Sequence, residues 1–266
     1  MRSRNNLFSV VVAVWALSLS TGWAQTDVRA VVRLWQQHLR TPADHAAIIQ
    51  AAQQVASQFP DSAMLGVAQN LGGWHALVAG QTNDAIRLLA PLLTERTEPI
   101  GMEAHTMAQR WLTRLDRERV CSALKNYYRD HVEFPASLDA LNALPVTNRP
   151  PLMDRFGRAW KYELTALKRL TTMRGQNYRL QSYALGDDSE LAAALRRPYG
   201  GGLVFWKPLR FLPAASAGAP SNVAFEKGGT KIILAEGSRQ MGVTLVYSRE
   251  DLIIITDGDY WQLFAR

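Results

Sequence analysis

Phe134-Pro135-Ala136-Ser137-Leu138, then Pro150-Pro151-Leu152-Met153-Asp154-Arg155-Phe156-Gly157-Arg158-Ala159-Trp160-Lys161-Tyr162, then Tyr178-Arg179-Leu180-Gln181-Ser182-Tyr183-Ala184-Leu185-Gly186-Asp187-Asp188, is the stretch that decides the fold. Before it, up to Tyr127-Tyr128, apolar residues recur with a helical period; beyond residue 131 they alternate. Trp160, Tyr162 and Leu164 point one way from a first strand, and Tyr178, Leu180 and Ser182 do so from a second. The link from Lys168 to Gly175 is basic and polar, so it reads as exposed. In Asp154-Arg155-Phe156-Gly157 the carboxylate can accept backbone N–H bonds and the glycine can take a positive φ, which is a structural turn. One core is expected from Leu124, Tyr128, Leu138, Trp160, Tyr162 and Leu180.

Working toward the N-terminus, a long helix is expected over about 102–131. Met107, Trp111 and Leu115 form one stripe, and Cys121, Leu124 and Tyr128 a second, out of phase across Asp116-Arg117-Glu118-Arg119. One helix serving two cores accounts for this, with a break at the charged run as the alternative. Residues 27–95 read as four helices. Val28, Val31, Val32 and Leu34-Trp35 share a face of the first; Thr41-Pro42 reads as an N-cap with proline at the first position of the second. Asp61-Ser62 caps the third, and Gly80 turns the chain into the fourth.

Toward the C-terminus, Asp188 to Leu195 reads as a short helix before Pro198, and Gly200-Gly201-Gly202 opens a third part. Leu203 to Trp206 reads as a short strand and Phe211 to Asn222 as a loop. Lys231–Ala235, Val243–Tyr247, Leu252–Thr256 and Tyr260–Phe264 read as strands of an antiparallel meander, with Asp257-Gly258 as a hairpin turn. The unbroken Leu252-Ile253-Ile254-Ile255 run marks a central strand buried on both faces.

The order of segments over about 120–190 resembles the soluble head of type II secretion major pseudopilins. There a helix ending in paired aromatics runs into a Tyr-Pro-x-Ser-Leu turn, a Pro-Pro and Asp-Pro-Trp-Gly loop, and a short antiparallel sheet. Here Arg155 stands for the loop proline and Phe156 for its tryptophan. The run from Gly73 to Ile86 resembles one tetratricopeptide repeat, with Gly73 and Ala85 allowing close helix contact. Together these imply an α+β fold: an N-terminal helical hairpin layer, a long helix into a pseudopilin-like antiparallel sheet, and a C-terminal β-meander. The divisions are 1–24 (signal peptide), 25–117 (helical, tetratricopeptide-like), 118–198 (head) and 199–266 (antiparallel β region of no recognised family).

Arg2 and Arg4, the apolar run Leu7 to Ser20 and Gly22-Trp23-Ala24 make residues 1–24 an export signal cleaved before Gln25, with an uncleaved membrane anchor as the alternative. The expected location is therefore periplasmic or extracellular. The chain carries a net charge of +7, which falls to +5 without Arg2 and Arg4. That excess is scattered, so nucleic-acid binding is not expected. Cys121 is the only cysteine, so no intrachain disulfide is possible and the fold must rest on its core.

The pseudopilin resemblance implies a calcium loop at Ser182 to Glu190, with Asp187, Asp188 and Glu190 as candidate oxygen ligands. The reading from the residues themselves is a helix N-cap at Asp187 or Asp188 with Glu190 in the first turn. Calcium therefore stays unassigned, and no metal or cofactor ligand is assigned. No serine sits in a Gly-x-Ser-x-Gly elbow, Cys121 reads as a buried structural thiol, and His38, His45, His75, His105 and His131 are isolated in sequence. No catalytic residue is assigned. The chain also lacks the prepilin peptidase site and the Phe-Thr-Leu-Ile-Glu helix start that pseudopilins polymerise through. The expected function is an exported, non-enzymatic scaffold or adaptor with an envelope or secretion protein as partner. The alternative is an exported hydrolase with its site in the C-terminal β region.

Overall fold

A computed structural model describes residues 26–94, 96–166, 176–214 and 221–265. Residues 1–24, read as the signal, and the 168–175 link lie outside the described residues. The fold is α+β. Helices α1 (26–40), α2 (His45–Gln58), α3 (Leu65–Val78) and α4 (Thr82–Leu89) form an antiparallel layer. Helix α3 is its centre, with every residue from Leu65 to Leu77 buried. Its small residues explain how three neighbours reach it. A Cβ on Gly66 would lie 2.4 Å from the Ala104 Cβ, one on Gly72 2.4 Å from the Ala52 Cβ, and one on Gly73 2.7 Å from Leu89. Gly80, at φ +71°, turns the chain into α4, with the Gln81 N–H donating to the Ala76 carbonyl. The cap of α2 is not Thr41-Pro42. Asp44 accepts from the Ala47 N–H at 3.2 Å, while the Thr41 hydroxyl donates back to the Gln37 carbonyl and closes α1.

Helix α5 (Pro99–His131) is unbroken across residues 116–119 and contributes to two apolar clusters. Ile100, Met107, Trp111 and Leu115 join the first cluster, which also takes in α1–α4 and the C-terminal strands. Val120, Cys121, Ala123 and Leu124 join the second, with Leu138, Leu141, Trp160 and Leu180. Tyr128 is not in this core. It is exposed against Phe134, and Tyr127 packs inward instead. Tyr127 lies seven residues beyond Val120 and four beyond Ala123, so the 3.6-residue period places it nearer the buried stripe. Leu164 is exposed too, since the core ends before the far end of its strand.

In this second unit β1 (Lys161–Ala166) pairs antiparallel with β2 (Gln176–Gln181), Tyr162 opposite Leu180. The Asp154 turn holds them. Asp154 Oδ1 accepts the N–H groups of Phe156 and Arg158 at 3.0 Å each, Oδ2 accepts the Ser182 hydroxyl at 2.6 Å, and Gly157 takes φ +75°. The Trp160 indole donates to the Pro151 carbonyl and the Tyr162 hydroxyl to the Pro135 carbonyl. A short helix α6 (Leu191–Leu195) follows.

Leu203 to Trp206 is not a strand. Gly200 and Gly201 both take positive φ and enter a 3-10 turn, Gly201–Phe205. Phe211 to Asn222 is not all loop either. Strands β3 (Trp206–Leu212), β4 (Asn222–Lys227) and β5 (Thr230–Ala235) form one antiparallel sheet, with residues 215–220 outside the described residues. The alternation that marks β4 is short: Val223 and Phe225 inward, Ala224 and Glu226 between them. Strands β6 (Arg239–Gln240), β7 (Val243–Ser248), β8 (Leu252–Thr256) and β9 (Trp261–Ala265) form a second sheet in chain order. Strand β8 is wholly buried and lies between β7 and β9.

Candidate functional site

Three histidines that lie far apart in sequence meet where α1, α2 and α3 come together. His38 is in the last turn of α1, His45 opens α2, and His75 lies near the end of α3. His38 Nδ1 lies 2.9 Å from His75 Nε2, and His45 Nδ1 lies 2.8 Å from His75 Nδ1. Both nitrogens of the fully buried His75 are thereby used. His38 is buried and His45 is half-exposed, so the row of rings runs inward from the surface.

Aromatic rings enclose the inner end. Tyr199 stands edge-on to His38 at 4.7 Å and to Trp74 at 4.9 Å, and Trp35 lies 5.1 Å from His38. Tyr199 also meets Tyr260 at 5.1 Å, and its hydroxyl accepts the Trp261 N–H, tying the C-terminal sheet to this point. The indole N–H groups of Trp35 and Trp74 are buried without a partner. Burial lowers His38 to about 4. Burial, reinforced by His38 and His45, lowers His75 to about 3. His38 and His75 are thus neutral at neutral pH, and each N···N contact has room for one proton.

The arrangement can relay a proton but does not chelate. His75 faces its two partners through opposite nitrogens, so the three rings do not converge on one point. Among the described residues no group of three or more His, Cys, Asp or Glu side chains could hold a metal ion.

Along the same hairpin, α1 and α2 leave a cleft of about 290 Å³. Ala30, Leu34, Ala51 and Val55 supply its apolar lining, and Arg33, Gln37, Gln54 and Gln58 its polar one.

The residues singled out in the sequence fall elsewhere. Asp187 and Asp188 do not cap α6. They sit in the 3-10 turn Gly186–Ser189, and the N-cap residue of α6 is Glu190, which makes no side-chain cap bond. Asp187 accepts from Arg179 and Gln181, and Asp188 from Arg197. Nearby guanidinium groups thus claimed these carboxylates, which the local sequence could not show. Cys121 is buried, and burial pushes its thiol up, away from the reactive thiolate. His105 and His131 bond the carbonyls of Leu92 and Tyr127 within or beside α5.

Two further polar clusters join elements rather than open to solvent. Asp259, in the β8–β9 turn, accepts four hydrogen bonds from Arg110 and Arg114 of α5 at 2.7–3.0 Å. Ser221 and Ser248 share a 2.6 Å contact, one hydroxyl donating to the other, and both oxygens lie 3.0 Å from Glu236 Oε2, which also accepts from Arg249. With three side chains meeting at one oxygen, Glu236 ties the ends of β4, β5 and β7. No family model matches the chain, and neither does any curated protein or solved structure.

Proposed function

We propose that the chain is an exported, non-enzymatic adaptor whose α1–α2 cleft holds an extended segment of a protein partner. The cleft between these helices carries the reading. Its apolar floor at Leu34 and Val55 suits one or two aliphatic side chains, and its size is at the low end for a small-molecule site. Gln37, Gln54 and Gln58 each offer a donor and an acceptor, the pair that a peptide main chain needs. The unit around β1 and β2, which resembles a pseudopilin head, is proposed to contact envelope secretion or pilus-like machinery. The hydrolase alternative would need a nucleophile beside a free base. Ser221 and Ser248 instead face a carboxylate oxygen already filled by Arg249.

The test is selection of short displayed peptides on the mature chain, followed by titration against Ala51→Tyr, which fills the cleft from a half-buried position. At least tenfold weaker binding at unchanged melting temperature is expected. Equal binding by the filled variant would rule the cleft out as the docking site.

A further inference from the structure

We propose that the His38–His75–His45 cluster is an acid-operated latch that holds the α1–α2 hairpin against α3 and Tyr199. The first ground is proton counting. In the neutral row each N···N contact contains one proton. One added proton still leaves a single proton in each contact, whichever of the three rings carries the charge. A second proton sets donor against donor and breaks a contact.

The second ground is the absence of compensation. Among the described residues no carboxylate forms an ion pair with any of the three rings. The charged residues of the intervening turn, Arg40 and Asp44, are exposed, and Asp44 is committed to the Ala47 N–H. From α1 the cluster meets Trp35, from α3 Trp74, and from the C-terminal part Tyr199, which burial keeps neutral. The end of a helix favours a cation at His38 and His75, a stabilisation that burial of these two rings outweighs.

The third ground is independent of titration. The indole N–H groups of Trp35 and Trp74, both more than nine-tenths buried, have no partner at this seam. A buried unpaired donor is a standing cost that water would relieve. Opening the seam would hydrate both indoles and let the buried imidazoles charge, so the closed state is held by neutrality of His38 and His75.

The experiment is amide hydrogen exchange of the full mature chain at pH 7.5 and pH 5, corrected for the intrinsic pH dependence of exchange. Protection in residues 26–58 should fall by about 30-fold for each ring that is neutral when closed and charged when open. Protection in β7–β9 should stay above that of residues 26–58 at both pH values, because those strands exchange only on full unfolding. His38→Gln/His75→Gln keeps a donor and an acceptor at each site and should abolish the acid response. Should that variant fail to fold, histidine ring resonances of the wild-type chain decide. Two rings titrating well below 6 support the latch, and normal titration of all three overturns it. Equal protection of residues 26–58 and β7–β9 at pH 5, which would mean that the hairpin never opens on its own, or an unchanged acid response in a folded double variant, also overturns it.

Discussion

Replacing Asp259 by Ala tests what fastens α5 to the C-terminal sheet. The Asp259 carboxylate takes Arg110 through Nε and Nη2 at 2.8 and 2.9 Å, and Arg114 through Nη1 and Nη2 at 2.7 and 3.0 Å. The Arg114 side chain is wholly buried and that of Arg110 is 23% exposed. Burial alone would raise the Asp259 carboxyl, but the hydrogen bonds from Arg110 and Arg114 outweigh it and hold it at about 2. Removing one partner of a buried pair costs about 3–5 kcal/mol, because it strands the other charge. Arg114 would keep the Asp188 carbonyl and the face of Trp111 at 4.5 Å, so the lower end, about 3 kcal/mol, is expected. Arg110→Ala should cost only about 1 kcal/mol, since water can replace it at its exposed edge. Urea unfolding at pH 7, followed by circular dichroism, measures both. Asp259→Leu/Arg114→Met should recover much of the single-variant loss. A loss below about 1 kcal/mol for Asp259→Ala would refute the claim that Arg114 is stranded.

Other outcomes follow from packing. Trp160→Ala should cost about 3–5 kcal/mol in chemical denaturation, because Trp160 is buried in the second cluster; a value near zero would detach it from that core. Gly72→Ala should destabilise by at least about 1–3 kcal/mol, since its new Cβ would meet the Ala52 Cβ. A neutral thermal melt for that variant would mean that α2 and α3 separate freely. Excess calcium or chelator should leave the melting temperature unchanged, as Asp187 and Asp188 are engaged by Arg179, Gln181 and Arg197. A calcium-dependent rise abolished by Asp187→Ala would restore the ion loop.

Local rules located most elements, and long-range contacts decided what they missed. The two stripes of α5, the Asp154 turn and the buried β8 follow from period and turn chemistry that act within a few residues. Strands β3 and β4 were hidden because Pro208 interrupts one and the other is only six residues long, beside a stretch rich in Ala, Ser and Pro. The candidate site was illegible for a different reason. His38 and His75 are 37 residues apart, and nothing in either neighbourhood announces the other. Only the packing of α1 and α2 on the small residues of α3 brings the rings together. One local cue existed: three histidines on consecutive helices, each near a helix end.

The two buried networks should answer acid in successive windows. His38 and His75 are held below their unfolded value of about 6.5, to about 4 and about 3. The unfolded chain therefore binds more protons as pH falls. Their contribution is complete above about 6.5 and is lost as pH drops toward 4 for His38 and toward 3 for His75. At pH 5 that is 1.5 pH units below the unfolded value, or about 2 kcal/mol for each ring. Asp259 is also held low, but from 3.8 to about 2, so its contribution is complete above about 4 and is lost only below that. Stability measured in urea should thus fall by roughly 3–4 kcal/mol between pH 7 and pH 5 and go on falling toward pH 4, below which the loss from Asp259 is added. His38→Gln/His75→Gln should remove the first drop and keep the second, while Asp259→Leu/Arg114→Met should do the reverse. A single smooth decline that neither pair of substitutions divides would mean that surface carboxylates, not these buried groups, set the acid response.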